Sequence, residues 1–389
     1  MSTTGPSGSR SQPAMAIRPG DRMLVTGASG FIGSAVTRAL LERGAQVVAL
    51  LQPGVPHSNL DGLAVEPVVA DLRDAAALVA AAEGCRMVFH VAAIYRFWVR
   101  QAAEFYDVNV GGTLNVIDAA RTTGVERVVY TSTVGTIGLD GTAQDFAADE
   151  TAWARINHLF GLYKQSKYVA EHEVLRAGAQ GLPVVLVQPT LPLGPGDRAP
   201  TPTGKTVLDF LNGRIPGWFD TALNVVDVDD VATGHLLAAE RGAQGRSYVL
   251  GGENLELRQI LDVLAAATGL PRAAFKVPRQ VALTVAYASD FVEGRLLHRE
   301  PSVPLEGARM ATTRMVFDDG RARRELGYRS RPAIEAIVRS ARWYSENGYV
   351  SAKRLARIDW KDVVELPASG HVPRGRAGIA PDRPPESSA

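Results

Sequence analysis

The sequence has almost no cysteine, and this scarcity limits the chemistry available to it. Cys85 is the only cysteine among 389 residues, so an intrachain disulfide and a cysteine-based zinc site are both excluded. The apolar neighbours of Cys85 predict that it lies in the core. No metal site of any other kind is predicted.

Charge of one sign and long apolar runs are also missing. The net charge is +1, which offers no basic surface, so no nucleic-acid partner is expected. The apolar run VALTVAYA at 281–288 is far too short to span a bilayer and is predicted to be a helix packed in a core. We therefore expect no membrane span and a cytoplasmic location.

The two ends of the chain carry neither a targeting pattern nor a folding pattern. Residues 1–20 are rich in Ser, Pro and Gly and have no apolar segment of the kind found in a signal peptide. Residues 368–389 have a similar composition. A disordered leader over 1–20 and a disordered tail over 368–389 are expected.

From Met23 to about Gln188, short β-branched runs alternate with helical stretches. The candidate strands are MLVT (23–26), QVVALL (46–51), VEPVVA (65–70), MVFHVA (87–92), RVVYTS (127–132) and PVVLVQ (183–188). Such near-continuous apolar strands are buried on both faces, as in a parallel sheet covered by helices. Residues 31–43 place apolar side chains on one helical face, and Gly44 follows as a stop signal. The pattern predicts an α/β fold with a Rossmann-type doubly wound parallel sheet.

The pattern changes after Gln188. The segment 189–222 holds six prolines and is predicted to be a loop. NVVDVDD (224–230) and SYVLGG (247–252) predict returns to the sheet, and helices are predicted at 256–268 and 332–345. We expect a dinucleotide-binding domain over 21–190, with returns at about 224–252. A smaller C-terminal substrate-binding lobe is expected over 191–223 and 253–350.

The stretch LVTGASGFIG at 24–33 spaces Gly27, Gly30 and Gly33 between the first strand and the first helix. Glycines in this setting allow a tight turn, a close approach of the backbone to a pyrophosphate and close packing of helix on strand. The helix N-terminus adds free N–H groups and a partial positive charge for the phosphates. A bound dinucleotide is therefore predicted.

The end of the second strand decides between NAD and NADP in folds of this type. A carboxylate there binds the adenosine ribose, and an arginine accepts a 2′-phosphate. The sequence reads Leu51-Gln52-Pro53 and supplies neither, although Arg73 at the next strand end is a candidate for the phosphate. Both cofactors stay open, with NAD favoured over NADP.

The chemistry is predicted to lie in YKQSK at 163–167. Tyr163 and Lys167 are four residues apart, so on a helix they share one face. A free tyrosine has a pKa of about 10, and we expect the nearby lysine to lower it toward a value useful for acid–base work. At the end of the fifth strand, Thr133 is predicted to project beside Tyr163, whereas Ser132 should face away.

Together these motifs resemble the extended short-chain dehydrogenase/reductase family over about residues 22–347. The resemblance rests on TGASGFIG, the Asp71-Leu72 pair, HVAA (90–93), the strand-end hydroxyl and YKQSK. Longer stretches such as HVAAIYRFW and QPTLPLGPGD are similar to the bacterial hopanoid-associated sugar epimerase group. That group in turn resembles dihydroflavonol 4-reductases and 3β-hydroxysteroid dehydrogenases.

The resemblance implies a role for each matched position. Tyr163 would be the general acid/base, Lys167 would bind the nicotinamide ribose, and Thr133 would orient the reacting oxygen. The predicted cofactor-binding residues are Gly27, Ser29, Gly30, Phe31, Ile32, Gly33, Gln52, Asp71, Leu72, Val91, Ala92, Ala93, Asn109, Tyr163, Lys167 and Pro189. The family often dimerises, so a homodimer is expected.

Three functions are compatible with these residues. The favoured one is an NAD(P)-dependent reductase or dehydrogenase acting on a ketone or alcohol of a hydrophobic small molecule. A sugar or nucleotide-sugar epimerase is the alternative, and a non-catalytic dinucleotide sensor is the remote one. A sugar dehydratase is disfavoured because Thr133 is followed by Val134-Gly135, which cannot titrate. Aromatic and hydroxyl side chains favour an apolar small-molecule pocket, with candidate contacts from Tyr95, Trp98, Thr190, Phe210 and Trp218.

Overall fold

The computed structural model describes residues 15–96, 101–139, 146–299, 301–302, 305–311, 313–363 and 365. The expected leader over 1–14 and tail over 368–389 lie outside these residues. Residues 15–20 do not fit the predicted leader, because they pack on the protein. Ile17 is buried, and the backbone N–H of Met15 donates to the Glu240 carbonyl at 2.8 Å.

Twelve strands and twelve α-helices make up the described fold. The strands are β1 (Arg22–Thr26), β2 (Gln46–Leu51), β3 (Val65–Val69), β4 (Met87–His90), β5 (Arg127–Thr131), β6 (Val184–Pro189), β7 (Leu191–Leu193), β8 (Gly217–Trp218), β9 (Ala222–Asp227), β10 (Ser247–Leu250), β11 (Glu253–Glu256) and β12 (Phe275–Lys276). The helices are α1 (Phe31–Glu42), α2 (Ala75–Ala82), α3 (Ala103–Tyr106), α4 (Gly112–Thr123), α5 (Leu162–Ala179), α6 (Pro202–Leu211), α7 (Val228–Arg241), α8 (Leu257–Thr268), α9 (Arg279–Ser289), α10 (Leu305–Ala311), α11 (Ala333–Glu346) and α12 (Ala352–Leu355).

Seven parallel strands form the main sheet in the order β10-β6-β5-β4-β1-β2-β3. One apolar core joins this sheet to α1 and α7, and a second joins its other face to α2, α4 and α5. The predicted doubly wound α/β fold is confirmed. The strand order reverses between β1 and β4, and a crevice for a ligand lies beyond the carboxyl ends of the strands at such a point.

Two predictions about the sheet were wrong. NVVDVDD at 224–230 does not return to the main sheet: β9 pairs with β7 and β11 in a separate three-stranded sheet, and Asp227 then caps α7. The apolar pattern marks a strand but cannot say which sheet it joins. At the sheet edge, β3 is not buried on both faces, and Val69 is 61% exposed.

The segment 189–222 is not a plain loop. It contains α6, which begins after Thr201, whose side chain accepts a hydrogen bond from the Gly204 N–H at 3.1 Å. Pro202 occupies the first turn, where a missing N–H costs nothing. Helices α6, α8 and α11 share a third apolar core beside the three-stranded sheet.

The helix predicted over 281–288 is present as α9, but its predicted place in a core is wrong. Among its apolar side chains, Val281, Val285 and Tyr287 are each about half exposed, and only Ala286 is fully buried. Helical spacing of apolar residues therefore predicted the helix correctly and its burial incorrectly. Within the described ranges, no helix combines the length and apolarity needed to cross a bilayer.

Candidate functional site

The glycine-rich turn joins β1 to α1 at the strand-order reversal. Gly27 has a φ of +67°, and a Cβ there would come within 2.8 Å of the Ala92 Cα. A Cβ on Gly33 would overlap the Gly27 carbonyl group. Gly30 immediately precedes α1 and offers no side-chain cap, which leaves the helix N-terminus open for an anion. The turn therefore has the shape that a dinucleotide pyrophosphate requires.

The other turn residues hold this shape. Phe31 and Ile32 are partly buried against the core that contains α1. The Ser29 carbonyl accepts a hydrogen bond from the Asn59 side-chain amide at 3.1 Å, and the same amide donates to the Gly196 carbonyl at 2.9 Å. Asn59 thus ties the glycine-rich turn to the loop after β7. The sequence analysis missed Asn59, which no motif marks.

The end of β4 lies next to the glycine-rich turn. The N–H groups of Val91 and Ala92 both donate to the Thr26 hydroxyl at 3.2 Å, and Ala93 continues the same segment. His90 contacts the hydroxyls of Thr26 and Thr113 through its two ring nitrogens, at 2.8 and 3.0 Å. Burial lowers the pKa of His90 to about 3, so this histidine is neutral and structural.

The ends of β2 and β3 lie at the same edge of the sheet. Gln52 is exposed just after β2. The Arg73 guanidinium makes two hydrogen bonds to the Asp71 carboxylate, at 2.8 and 2.7 Å, and this contact lowers the pKa of Asp71. Leu72 is buried against Gly112, and its carbonyl accepts from the Asn115 amide at 2.9 Å.

Helix α5 presents Tyr163 and Lys167 to the end of β5. The phenol of Tyr163 is close enough to the Thr133 side chain for Thr133 to lower its pKa, and both Tyr163 and Lys167 are buried. The Lys167 ammonium donates to the Thr131 carbonyl at 2.8 Å and lies 4.4 Å from the centre of the Tyr130 ring. Ser132 points the other way, toward the Glu171 carboxylate, as predicted.

The protonation of this pair differs from the expectation. Burial raises the pKa of Tyr163 well above its usual range, and the Thr133 side chain lowers it only in part. Burial also lowers the pKa of Lys167 to about 7, while the charge of Glu171 raises it. Desolvation therefore dominates at both groups, and the expected lowering of the tyrosine pKa by the lysine is not observed.

Asn109 connects the helical segment Asp107–Gly111, which runs into α4, to the tyrosine helix. Its side-chain oxygen accepts from the Ile94 N–H at 2.8 Å, and its amide donates to the Ser166 hydroxyl at 3.0 Å. Ser166 in turn donates to the Tyr163 carbonyl at 2.8 Å. Asn109 thereby fixes α5 against the segment after β4.

A buried polar cluster lies behind Lys167 and was missed by the sequence analysis. Glu171, one helical turn after Lys167, accepts hydrogen bonds from Ser132, from Thr136 at 2.8 Å and from Gln188 at 3.3 Å. The cluster joins α5 to the ends of β5 and β6. The four-residue spacing from Lys167 was the one signal available for Glu171.

The predicted substrate contacts are only partly brought together. The Tyr95 ring lies 4.7 Å from the Tyr163 ring. Phe210 is buried in the core of α6 and α8, away from any surface, so its position does not support a substrate contact. Trp218 lies 5.4 Å from the Arg258 guanidinium. Trp98 lies outside the described residues.

The chain turns away from the main sheet at the end of β6. Pro189 is the last residue of β6 and pairs with Leu250 of β10. Thr190 follows it, is buried, and donates through its N–H to the Leu250 carbonyl at 3.2 Å. Both residues therefore lie at the carboxyl edge of the sheet, where the three-stranded sheet begins.

Comparison with known proteins agrees with this geometry. Residues 23–251 match the family described as "NAD dependent epimerase/dehydratase family". The chain belongs to this family. It is therefore an NAD(P)-dependent enzyme of the extended short-chain dehydrogenase/reductase type.

Three similar proteins illustrate the range within the family. A putative dihydroflavonol 4-reductase of a Synechocystis strain is 42% identical over 86% of this chain and 97% of its own length. Sterol demethylase protein B of Methylococcus capsulatus is 35% identical over 84% of this chain and 99% of its own. The crystal structure of a nucleoside-diphosphate-sugar epimerase from Pseudomonas aeruginosa is 26% identical, with a TM-score of 0.71, over 85% and 99% of the two chains.

Proposed function

We propose that this enzyme reduces the ketone of a hydrophobic small molecule, with Tyr163 donating a proton to the carbonyl oxygen. The observation that carries the proposal is the placement of the buried Tyr163 beside Thr133 and Lys167 at the carboxyl edge of the sheet. Because burial keeps the phenol protonated near neutral pH, Tyr163 is suited to act as an acid on a carbonyl that accepts a hydride.

Each group of residues in the site would have its own role in the proposed reaction. The glycine-rich turn and the start of α1 would hold the pyrophosphate, and Lys167 would hold the nicotinamide ribose. When bound, the reduced nicotinamide supplies a hydride to the carbonyl carbon. Thr133 would hold the carbonyl oxygen beside Tyr163, and the phenol proton completes the alcohol. One ketone and one proton are consumed for each reduced cofactor.

We infer that NAD is preferred to NADP. Gln52 is neutral, and a single amide is a weak partner for a doubly charged 2′-phosphate. Arg73, the candidate cation, is paired with Asp71. Titration of the purified protein with NADH and with NADPH tests this preference, and tighter binding of NADPH would contradict it.

Two observations support a hydrophobic ketone rather than a nucleotide sugar. A diphosphate needs several convergent cations, but the candidate cations in the segment 189–222 are engaged elsewhere. Lys205 and Arg214 both pair with Asp209, and Arg198 donates to Asn59 at 2.9 Å. The named substrates of two relatives, a dihydroflavonol and a sterol, are also largely apolar ring systems.

The experiment that tests the proposed function measures transfer of the hydride from the cofactor to the ketone. The protein is incubated with NADH carrying deuterium at C4 of the nicotinamide and with a panel of aryl and alicyclic ketones, and the products are analysed by mass spectrometry. Deuterium at the carbinol carbon supports the proposal. An epimerase would instead retain a full equivalent of NAD after purification and would not consume NADH, and a sensor would bind the cofactor without any product.

The domain limits and the homodimer remain proposals as well. We propose that residues 21–190 bind the cofactor and that 191–223 and 253–350 bind the substrate. Light scattering of the purified protein tests the dimer, for which a monomeric mass would be contrary evidence.

A further inference from the structure

The loop that follows β7 in the C-terminal lobe lies against the start of α1. A Cβ on Gly196 would come within 3.6 Å of the Asn59 side-chain oxygen and within 3.9 Å of the hydroxyl of Ser34, a residue of α1. The Gly196 carbonyl accepts a hydrogen bond from the Asn59 amide at 2.9 Å, and the same amide donates to the Ser29 carbonyl at 3.1 Å. A segment of the C-terminal lobe is therefore fixed beside the glycine-rich turn.

Arg198 extends from this loop toward the same turn. Its Nε donates to the Asn59 Oδ1 at 2.9 Å, so Asn59 connects the guanidinium to the Ser29 carbonyl through two hydrogen bonds. The preceding residue, Asp197, is buried and accepts a hydrogen bond from the Tyr344 hydroxyl at 2.7 Å. Asp197 thus holds the loop in its own lobe, while Arg198 projects toward the first helix of the Rossmann-type sheet.

The charge of Arg198 is not neutralised by the part of the chain that the structure describes. The guanidinium contacts two neutral oxygens there, the Asn59 Oδ1 and, at 3.4 Å, the Ser58 carbonyl, and it forms no ion pair with a described carboxylate. By contrast, Arg214 of the same segment pairs with Asp209 at 3.3 Å. Arg198 is also exposed, so a ligand can reach its guanidinium.

This position is electrostatically unfavourable for a cation unless an anion is bound. The N-terminus of a helix carries a partial positive charge, which repels a nearby cation. The first turn of α1, all of it within the described ranges, holds no acidic residue, and Gly30 provides no side-chain cap. An anion placed between Arg198 and the start of α1 would be attracted by both.

We propose that Arg198 is a cofactor-binding residue that donates hydrogen bonds to the pyrophosphate of the dinucleotide. The planar guanidinium has several N–H donors and matches the geometry of phosphate oxygens. NAD has phosphate only in its pyrophosphate, so this contact requires no 2′-phosphate. The dinucleotide is then held by the C-terminal lobe as well as by the glycine-rich turn. The inference rests on the dinucleotide site and is independent of the proposed ketone reduction.

Binding of ADP-ribose tests this contact apart from catalysis. ADP-ribose has the adenosine, the pyrophosphate and the second ribose of NAD but no nicotinamide, so no hydride can be transferred. Its dissociation constant is measured by calorimetry, and that of NADH by fluorescence titration, for the wild-type protein and Arg198→Gln. Arg198→Gln should bind both ligands about tenfold more weakly. Arg198→Lys keeps the charge and should lose less affinity than Arg198→Gln.

A matched control and a salt titration separate the charge of Arg198 from an effect on the fold. Arg214→Gln removes another exposed arginine of the segment and should keep both wild-type dissociation constants. Raising KCl from about 50 to about 500 mM should weaken ADP-ribose binding more in the wild-type protein than in Arg198→Gln, because the variant lacks a charge that salt screens. A purely structural role would give both proteins the same salt response. Thermal melting checks that each variant is folded.

Several results would overturn the inference. They are no binding of ADP-ribose to the wild-type protein, wild-type affinity in folded Arg198→Gln, an equal loss in Arg214→Gln, or an equal salt response. A loss confined to NADPH in parallel titrations would also overturn it, because the contact would then be with the 2′-phosphate. The deuterium-transfer experiment reports separately on the reaction. Deuterium transfer with wild-type ADP-ribose affinity in Arg198→Gln would remove this inference and leave the reductase, whereas weakened binding without transfer to any ketone would do the reverse.

Discussion

Gly33→Ala gives a direct test of the glycine-rich turn. A Cβ on Gly33 would lie 2.0 Å from the Gly27 carbonyl oxygen and 2.8 Å from its carbonyl carbon. Cβ atoms essentially never approach another heavy atom within 3.0 Å, so the start of α1 must move by about 1 Å or more. The N–H groups at the helix N-terminus would move with it, away from the pyrophosphate.

The cost follows from this displacement. Overpacking of a tight contact costs about 1–3 kcal/mol, and every 1.4 kcal/mol is a factor of ten in affinity. We therefore expect Gly33→Ala to bind NADH about 10- to 100-fold more weakly and to be less stable to urea. NADH fluorescence titration and urea unfolding measure the two effects.

Gly111→Ala is the matched control. Gly111 is also helical, and a Cβ there would meet nothing closer than 3.9 Å. Alanine at an unstrained helical position stabilises by about 0.4–1 kcal/mol, so this variant should bind NADH normally. Normal NADH affinity in folded Gly33→Ala would refute the assignment of the turn as the pyrophosphate site.

Three further predictions concern the chemistry and the cofactor. Thr133→Val removes the hydroxyl beside the reacting oxygen and should lower kcat about 100-fold, with Thr133→Ser restoring most of it in the same steady-state assay; equal losses in both would contradict this role. Because burial lowers the pKa of Lys167 to about 7, its charge and the NADH affinity should fall as pH rises through 7. Glu171→Gln removes a charge that raises this pKa, so the fall should begin at lower pH, whereas Glu173→Gln, on the same helix, should leave the titration curve unchanged. Gln52→Arg should increase NADPH affinity about tenfold or more relative to NADH, and an unchanged ratio in paired titrations would place the 2′-phosphate elsewhere.

Much of the fold could be predicted from local pattern. The runs 23–26, 46–51 and 127–132 correspond closely to β1, β2 and β5, because buried parallel strands are apolar throughout. The helix after the glycines ends at Glu42, just before the expected stop signal at Gly44, where φ is +77°. These strands and this helix end could be predicted because the backbone conformation and the burial of each one depend on the same few neighbouring residues.

The predictions that were wrong concern features that depend on residues far apart in the sequence. The strand at 222–227 joins β7 and β11 because of the chain path through the C-terminal lobe, which no local pattern contains. The apolar side chains of α9 need an opposing surface to be buried, and the helix lies at the periphery of the lobe. Helix α6 was missed although a local signal for it exists. Thr201-Pro202 is a helix-start signal, but the six prolines of the segment led to the prediction of a loop.

In the candidate site, too, the residues within a local motif could be predicted and those brought in by the fold could not. YKQSK and the strand-end threonine predicted that Tyr163 and Thr133 lie side by side, and these residues, thirty positions apart, do interact. Asn59 could not be predicted, because it reaches the site from a segment without a motif. The protonation of Tyr163 was also misjudged, because desolvation depends on everything packed around the phenol.

The central claim is that Tyr163 supplies the proton in a hydride transfer. The most direct test is Tyr163→Phe, which removes only the hydroxyl group. We predict that NADH binds this variant with nearly the wild-type dissociation constant, while deuterium transfer from labelled NADH to a ketone falls about 100- to 10,000-fold. Transfer at the wild-type rate in Tyr163→Phe would contradict the account.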